Sequence, residues 1–261
     1  MSEGEPILMR RDEAGVATLT LNRPAARNAL SVALMTELEA ALSAIAADAS
    51  VKVVVLAANG PAFCAGHDLK EMRGLAGREA VAAVFALCSR VMTAIVRLPQ
   101  PVVAKVHAMA TAAGCQLVAS CDLAYASTGA KFATPGVNIG LFCSTPMVAL
   151  SRVVGRKQAM EMLLSGVPVN AATAESWGLI NHAVDPEVLD GEVAAMARLI
   201  AGKSSHTVKV GKEAFYRQLE MGLDDAYAHA SRVMTENMLA MDAAEGIDAF
   251  LEKRPPVWRG C

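Results

Sequence analysis

Few residues in this 261-residue chain stand where chemistry is easy, and those few lie at turns. Residues 111–116 read T-A-A-G-C-Q, small residues followed by a helix whose first turn carries one amide, Gln116. A carboxylate there would announce acid–base work. An amide neither gives nor takes a proton near neutral pH, so Gln116 can hold a water but cannot move a proton. His67, in C-A-G-H-D-L-K, can act as a base near neutral pH. The same stretch also reads as a polar turn before a helix, with Asp68 as its cap. Cys143 and Ser144, in L-F-C-S-T-P, have nucleophilic atoms, but Ser144 is inert unless a base sits beside it. His107, at a strand end, reads as packing or hydrogen-bonding. Gly66 and Gly114 allow the main chain to bend and to approach a ligand closely.

The totals exclude several classes. The length suits one large domain, or a domain with an appendage. A net charge of −2 gives no basic surface for nucleic acid. The longest apolar stretch, around residues 81–96, is interrupted by Ser89 and Arg90, so no membrane span is expected. The acidic start, M-S-E-G-E-P, lacks the apolar core of a signal and the Arg-rich look of a transit peptide, which makes a cytoplasmic location the expectation. The six cysteines form no C-x-x-C pair and have no metal spacing, and five of them read as buried thiols.

Periodicity then places the motifs. Strands are expected at 16–21, 53–57, 102–107, 123–126, 131–133 and 179–184. Helices are expected at 31–47, 80–98, 114–120, 146–154, 156–165 and 171–177. Beyond Pro186 only helices are expected, at 187–201, 205–219, 223–239 and 242–251. Alternation up to about residue 184 argues for an α/β layer fold with an all-helical tail. Met221, Met234, Met238 and Met241 give that tail Met-rich faces, which suit either a subunit interface or ordinary core.

Four ordered motifs carry a resemblance that covers nearly the whole chain. They are N-R-P-A-A-R-N-A-L, F-C-A-G-H-D-L-K-E-M, A-T-A-A-G-C-Q-L-V-A-S-C-D-L-A and F-A-T-P-G, with the tail E-G-I-D-A-F-L-E-K-R-P-P-V-W fitting as well. Together they resemble the crotonase (enoyl-CoA hydratase/isomerase) superfamily, and A-T-A-A-G-C-Q with T-P-G-V-N-I-G-L-F-C-S-T-P resembles one branch of it.

The resemblance implies a crotonase-like spiral of β-β-α repeats over 1–200, holding an acyl-CoA pocket. It implies a helical oligomerisation region over 201–261 that makes a homotrimer or a hexamer of paired trimers. CoA would enter as part of the ligand, with no separate cofactor, no metal, and no nucleic acid or membrane as partner.

The resemblance also implies an oxyanion hole, two backbone N–H groups that hold the thioester oxygen as it gains charge, here from His67 and Ala113. Ala112 and Ala113 stand where many relatives have glycine, and alanine serves there only at negative φ. Arg27 and Lys70 match positions near the CoA phosphates, and Lys253 one that reaches a neighbouring subunit's nucleotide. Ala65, Gly66, Asp68, Leu69 and Gly114 complete the implied CoA-binding set. The two hydratase glutamates fall at Gln116 and Gly136, so both carboxylates are missing and fast hydration is not expected. Gain of hydration on restoring both glutamates would show that an intact hole was waiting for its acids. Three roles stay open: an enzyme with a non-standard acid or base, an acyl-CoA binder without chemistry, and an assembly or regulatory protein.

Overall fold

The computed structural model describes residues 5–261, so most of the acidic start lies outside it. The first two strands, β1 (Leu8–Glu13) and β2 (Val16–Leu21), form a hairpin. Its two-residue turn, Ala14-Gly15, has positive φ at both positions, 50° and 80°, the geometry that matches strand twist. β2 is followed by α1 (Val32–Ala46), whose N-cap Ser31 accepts from Leu34 N–H. Then come β3 (Val53–Ala58), α2 (Leu69–Gly74), α3 (Gly77–Arg97), β4 (Val102–Val106), β5 (Ala110–Thr111), α4 (Ala113–Ser120), β6 (Leu123–Ser127) and β7 (Lys131–Ala133). A 3-10 turn over Pro135–Ile139 leads to α5 (Pro146–Val153), α6 (Arg156–Ser165), β8 (Val169–Asn170), α7 (Ala171–Ser176) and β9 (His182–Val184). Four helices close the chain: α8 (Pro186–Ala201), α9 (Ser205–Gln218), α10 (Leu223–Met238) and α11 (Met241–Glu252).

The strands form two sheets. The larger runs β1-β2-β3-β4-β6-β9 and is parallel except for the β1–β2 hairpin. The smaller runs β5-β7-β8. Parallel strands must be covered on both faces, and β3 reads V-V-V-L-A-A, almost wholly buried. Val54 and Leu56 face the core built by α1 and α3, whereas Val53, Val55 and Val103 face Leu189, Val193 and Ala197 of α8. β1 is exposed along its length and carries ion pairs, Arg10 to Asp12 at 2.6 Å and Arg11 to Glu13 at 2.8 Å.

By length and composition α3 is one helix apolar enough to cross a membrane, which the broken run of its sequence did not suggest. Its buried face, Val84, Leu87, Cys88, Val91, Met92 and Ile95, packs into the main core, so it serves as a core helix.

The Met-rich faces of the tail are not core within the chain. Neither α9 nor α10 buries an apolar residue, and Met234, Met238 and Met241 are all more than half exposed. What fixes α9 to the sheet is a polar anchor. Lys212 Nζ, almost fully buried, donates to Asp122 at 2.6 Å and to the Ile95 and Gln100 carbonyls at 3.1 Å. Tyr216 donates to the other Asp122 oxygen at 2.9 Å. Removing one partner from such a buried pair would strand a charge.

The end of the described chain folds back on the helices. Asp242 accepts from Ser204 Oγ, Arg259 N–H and Gly260 N–H. Trp258 Nε1 donates to Gly202 O at 2.9 Å, and Arg254 pairs with Glu245 at 2.6 Å.

Candidate active site

Two turns meet beside β5. The first follows β3. Phe63 and Cys64 run beside β5, with Phe63 N–H on Met109 O at 2.9 Å and Thr111 N–H on Cys64 O at 2.9 Å. Around residue 66 the backbone groups are taken up by the segment before α1: Ala65 N–H bonds Arg27 O, Leu30 N–H bonds Gly66 O, and Asp68 N–H bonds Leu30 O. Gly66 has φ 88°, and a Cβ on it would lie 2.9 Å from Ala112 Cβ and 3.5 Å from Ala113 N. The first turn therefore rests directly on the second.

The second turn joins β5 to α4. Ala112 N–H bonds Ala133 O at 2.9 Å, and Gln116 N–H makes the first helical bond, to Ala112 O at 3.0 Å. Ala112 itself has φ 50° and ψ −118°. The condition of negative φ set for an alanine here is not met at Ala112, and the turn forms with a strained backbone instead. The pair of angles belongs to the first central position of a type II′ turn, which favours glycine. It rotates the 112–113 peptide so that α4 starts in helical geometry with its first N–H groups unpaired, as every helix start must leave them. Gly114 has no room for a side chain, since a Cβ there would overlap Cys64 O. Among the described residues, neither His67 N–H nor Ala113 N–H donates to any group.

The His67 and Gln116 side chains beside these donors are neutral. The His67 ring sits edge-on to Phe85 of α3, centroids 5.3 Å apart, and its Nε2 is sealed without a partner. Burial pushes its pKa down, so it stays uncharged at neutral pH. Among the described residues no carboxylate bonds it. Asp68 caps α2 through Lys70 N–H and Glu71 N–H and pairs with Arg23 at 3.1 Å, while Glu71 accepts from Val32 N–H. Gln116 is buried, with Oε1 4.0 Å from Cys88 Sγ.

Gly136 comes near through the small sheet. Thr111 pairs with Ala133 in register, so the chain leaving β7 runs beside the chain leaving β5. The glycine is obligatory here, because a Cβ would lie 2.5 Å from Leu141 O and 2.9 Å from Cys143 Sγ. The 141–143 loop fills the space a side chain would need. A glutamate at 136 would therefore have to displace that loop. Cys143 is buried, its thiol pushed up by burial, and Ser144 is exposed with its hydroxyl on Phe142 O at 3.4 Å. No base reaches Ser144 among its described bonds. His107 bonds Gly60 O at 2.8 Å, the structural role its position suggested.

Of the implied CoA set, Ala65, Gly66, Asp68, Leu69, Lys70 and Gly114 all belong to or adjoin the two turns. Arg27 and Lys70 are exposed and form no ion pair among the described residues, which leaves both cations available. The carboxylate of Asp68 is committed to its cap and to Arg23. Lys253 ends α11 at φ 56°, on the face of the helical tail.

Sequence reasoning missed Asn28. It is fully buried at φ 54°, and its Nδ2 donates to the Asn59 and Ala62 carbonyls at 2.7 and 2.8 Å. It clamps the segment that holds the first turn. Asparagine tolerates this left-handed backbone better than most residues, which was the available signal.

The two sheets, the helical C-terminal region and the abutting turns together have the crotonase fold. The chain belongs to the enoyl-CoA hydratase/isomerase family, whose sequence profile matches residues 11–261. It is 48% identical over 257 residues to the rat "Enoyl-CoA hydratase domain-containing protein 3, mitochondrial", covering 98% of this chain and 86% of the relative. The human protein of that name has a crystal structure that superposes with a TM-score of 0.95 at 47% identity, covering 97% of this chain and 100% of that one. A crystal structure described as enoyl-CoA hydratase from Mycobacterium smegmatis is 56% identical, with a TM-score of 0.95, and covers 97% of this chain and 99% of that one. The branch that residues 110–116 and 134–146 resembled is thus the domain-containing protein 3 branch. One expectation is overturned: these rat and human relatives are named mitochondrial, so the cytoplasmic location does not stand.

Proposed function

We propose that the chain binds an acyl-CoA thioester and polarises its carbonyl with the His67 and Ala113 N–H groups, without fast hydration of 2-enoyl esters. The observation that carries this reading is the pair of unpartnered N–H groups on turns in van der Waals contact. One such donor is typically worth about 3 kcal/mol of transition-state stabilisation. Arg27 and Lys70, exposed beside the first turn, supply positive charge for CoA phosphates. Proton transfer lacks its groups, since positions 116 and 136 carry an amide and a hydrogen. Each positioned acid or base is typically worth about 10² to 10⁴ in rate. Self-association through the apolar faces of α9 and α10, as a trimer or hexamer, accompanies this reading.

The test follows the loss of crotonyl-CoA absorbance and, separately, binding of acyl-CoA esters by calorimetry. Binding with turnover far below that of ordinary hydratases is expected. Ala113→Pro removes one donor at a helix position that tolerates proline and should abolish binding while circular dichroism stays native. Rapid hydration by the unaltered protein would refute the reading, as would unchanged binding by the proline variant.

A further inference from the structure

The parallel strands have a second end, and a cavity lies there that the donor turns do not use. The first donor turn follows β3, whereas residues 51–52 precede β3 and residues 99–101 precede β4. With the end of α1 and the first turn of α9 these segments enclose a cavity of about 250 Å³. β3 has six residues, so about 20 Å of strand separates the cavity from the first donor turn.

The cavity walls carry positive charge without partners. Lys52, His206 and Lys209 line it, and none of these side chains forms an ion pair or a hydrogen bond among the described residues. α9 begins here. Its cap Ser204 takes up Thr207 N–H and Val208 N–H, whereas Ser205 N–H and His206 N–H donate to nothing among the described residues. Unpaired N–H groups at the positive end of a helix suit an anion. Asp242, whose carboxylate lies near His206, is already engaged by Ser204 Oγ, Arg259 N–H and Gly260 N–H.

A helix start alone would define no ligand. Gln100 adds an independent feature, since it lines the same cavity and is only 8% exposed. Its Nε2 donates to the Ile45, Asp48 and Val51 carbonyls at 2.8, 3.4 and 3.3 Å. Three carbonyls cannot face the amide oxygen, so they fix which end of the amide is which. Oε1 is left as a buried acceptor with no partner. Such an atom is costly, and a ligand O–H or N–H would relieve it.

We infer that this cavity binds a small phosphate monoester whose body carries a hydroxyl or an amine. The phosphate sits on Lys52, His206, Lys209 and the first N–H groups of α9, and the donor meets Gln100 Oε1. Two lysines and a helix start match a dianion better than a singly charged carboxylate. The volume falls below the range of about 300–1,000 Å³ usual for drug-sized ligands, so a body of a few carbons fits and a whole CoA does not.

Calorimetry with glycerol 3-phosphate and n-propyl phosphate tests this on the unaltered protein. The two esters match in charge and chain length, and only the first has hydroxyls. Glycerol 3-phosphate should bind about tenfold or more tighter. Lys209→Gln and Lys52→Gln should each weaken its binding about threefold or more. Lys70→Gln, beside the first donor turn, should leave it unchanged. Equal binding of the two esters would overturn the donor on Gln100 and the proposal with it. So would no binding of either ester, or binding that both cavity lysine variants leave intact. Loss of glycerol 3-phosphate binding in Lys70→Gln would put the ester at the donor turns and overturn the separate site.

Discussion

Ala112→Gly is expected to make this protein more stable, against the ordinary effect of that change. At φ 50° and ψ −118°, the Ala112 Cβ sits in a backbone region that glycine enters freely and alanine does not. Such a strained position typically stores about 1–3 kcal/mol. Glycine gives back about 0.4–1 kcal/mol through the freedom it adds to the unfolded chain. The half-buried methyl, which would touch any side chain placed at Gly66, contributes a few tenths more to the loss. The balance is a gain of about 1 kcal/mol, or about 2–4 °C in Tm for a chain of this size. Ala244→Gly, on the exposed face of α11, is the control and should lose about 1 kcal/mol. Both variants are melted in urea at one protein concentration, because self-association shifts apparent stability. If Ala112→Gly loses as much as the control, no strain is stored there. The 112–113 peptide would then not be turned as described, and the Ala113 N–H would not be aimed at a ligand.

The remaining expectations concern the second lost acid and the chain's acid sensitivity. Gly136→Glu, alone or with Gln116→Glu, should destabilise by about 1–3 kcal/mol through overlap with Leu141 O and Cys143 Sγ, and should not restore crotonyl-CoA hydration. A stable double variant with rapid hydration would show that the 141–143 loop yields. Glu245 is held down to about 2 by Arg254 and the Val257 N–H, against an ordinary 4.5. Its folded pKa is the lower one, so its contribution is complete above pH 4.5 and disappears as pH falls toward 2. In a Trp177→Phe background, Trp258 emission should shift to the red across that window as its segment leaves Gly202. Glu245→Gln should show little pH dependence there, and an identical acid transition in both proteins would exclude Glu245 as its source.

Legibility in the sequence followed physical signals element by element. Residues 131–133 and 156–165 are found as read, because Pro135 stops the first and Gly166, at φ 62°, ends the second. β1 escaped notice because L-M-R-R-D-E lies on an open edge and has no buried face to impose alternation. β5 and β8 have two residues each, too few for any period, and α2 is a six-residue helix whose only mark is the Asp68 cap. The two turns stood out through the resemblance that their motifs carry, not through any period. The strain at Ala112 did not, because the residue that normally signals such a turn is absent. Nor could the sequence reveal that Leu141 and Cys143 close over Gly136, or that Cys88, 28 positions away, lies against Gln116. Those are facts of packing between distant segments.

The charged outer strand of the large sheet bears on solubility. A flat, unpaired strand is a template for stacking further chains into fibres. β1 carries Arg10, Arg11, Asp12 and Glu13 in succession along that rim, and β9, at the opposite rim, has only three residues. An incoming strand would have to strip water from four ionised groups on one side and would find almost no length on the other. The fold thereby discourages aggregation of its own parallel sheet by the composition of one border and the brevity of the other.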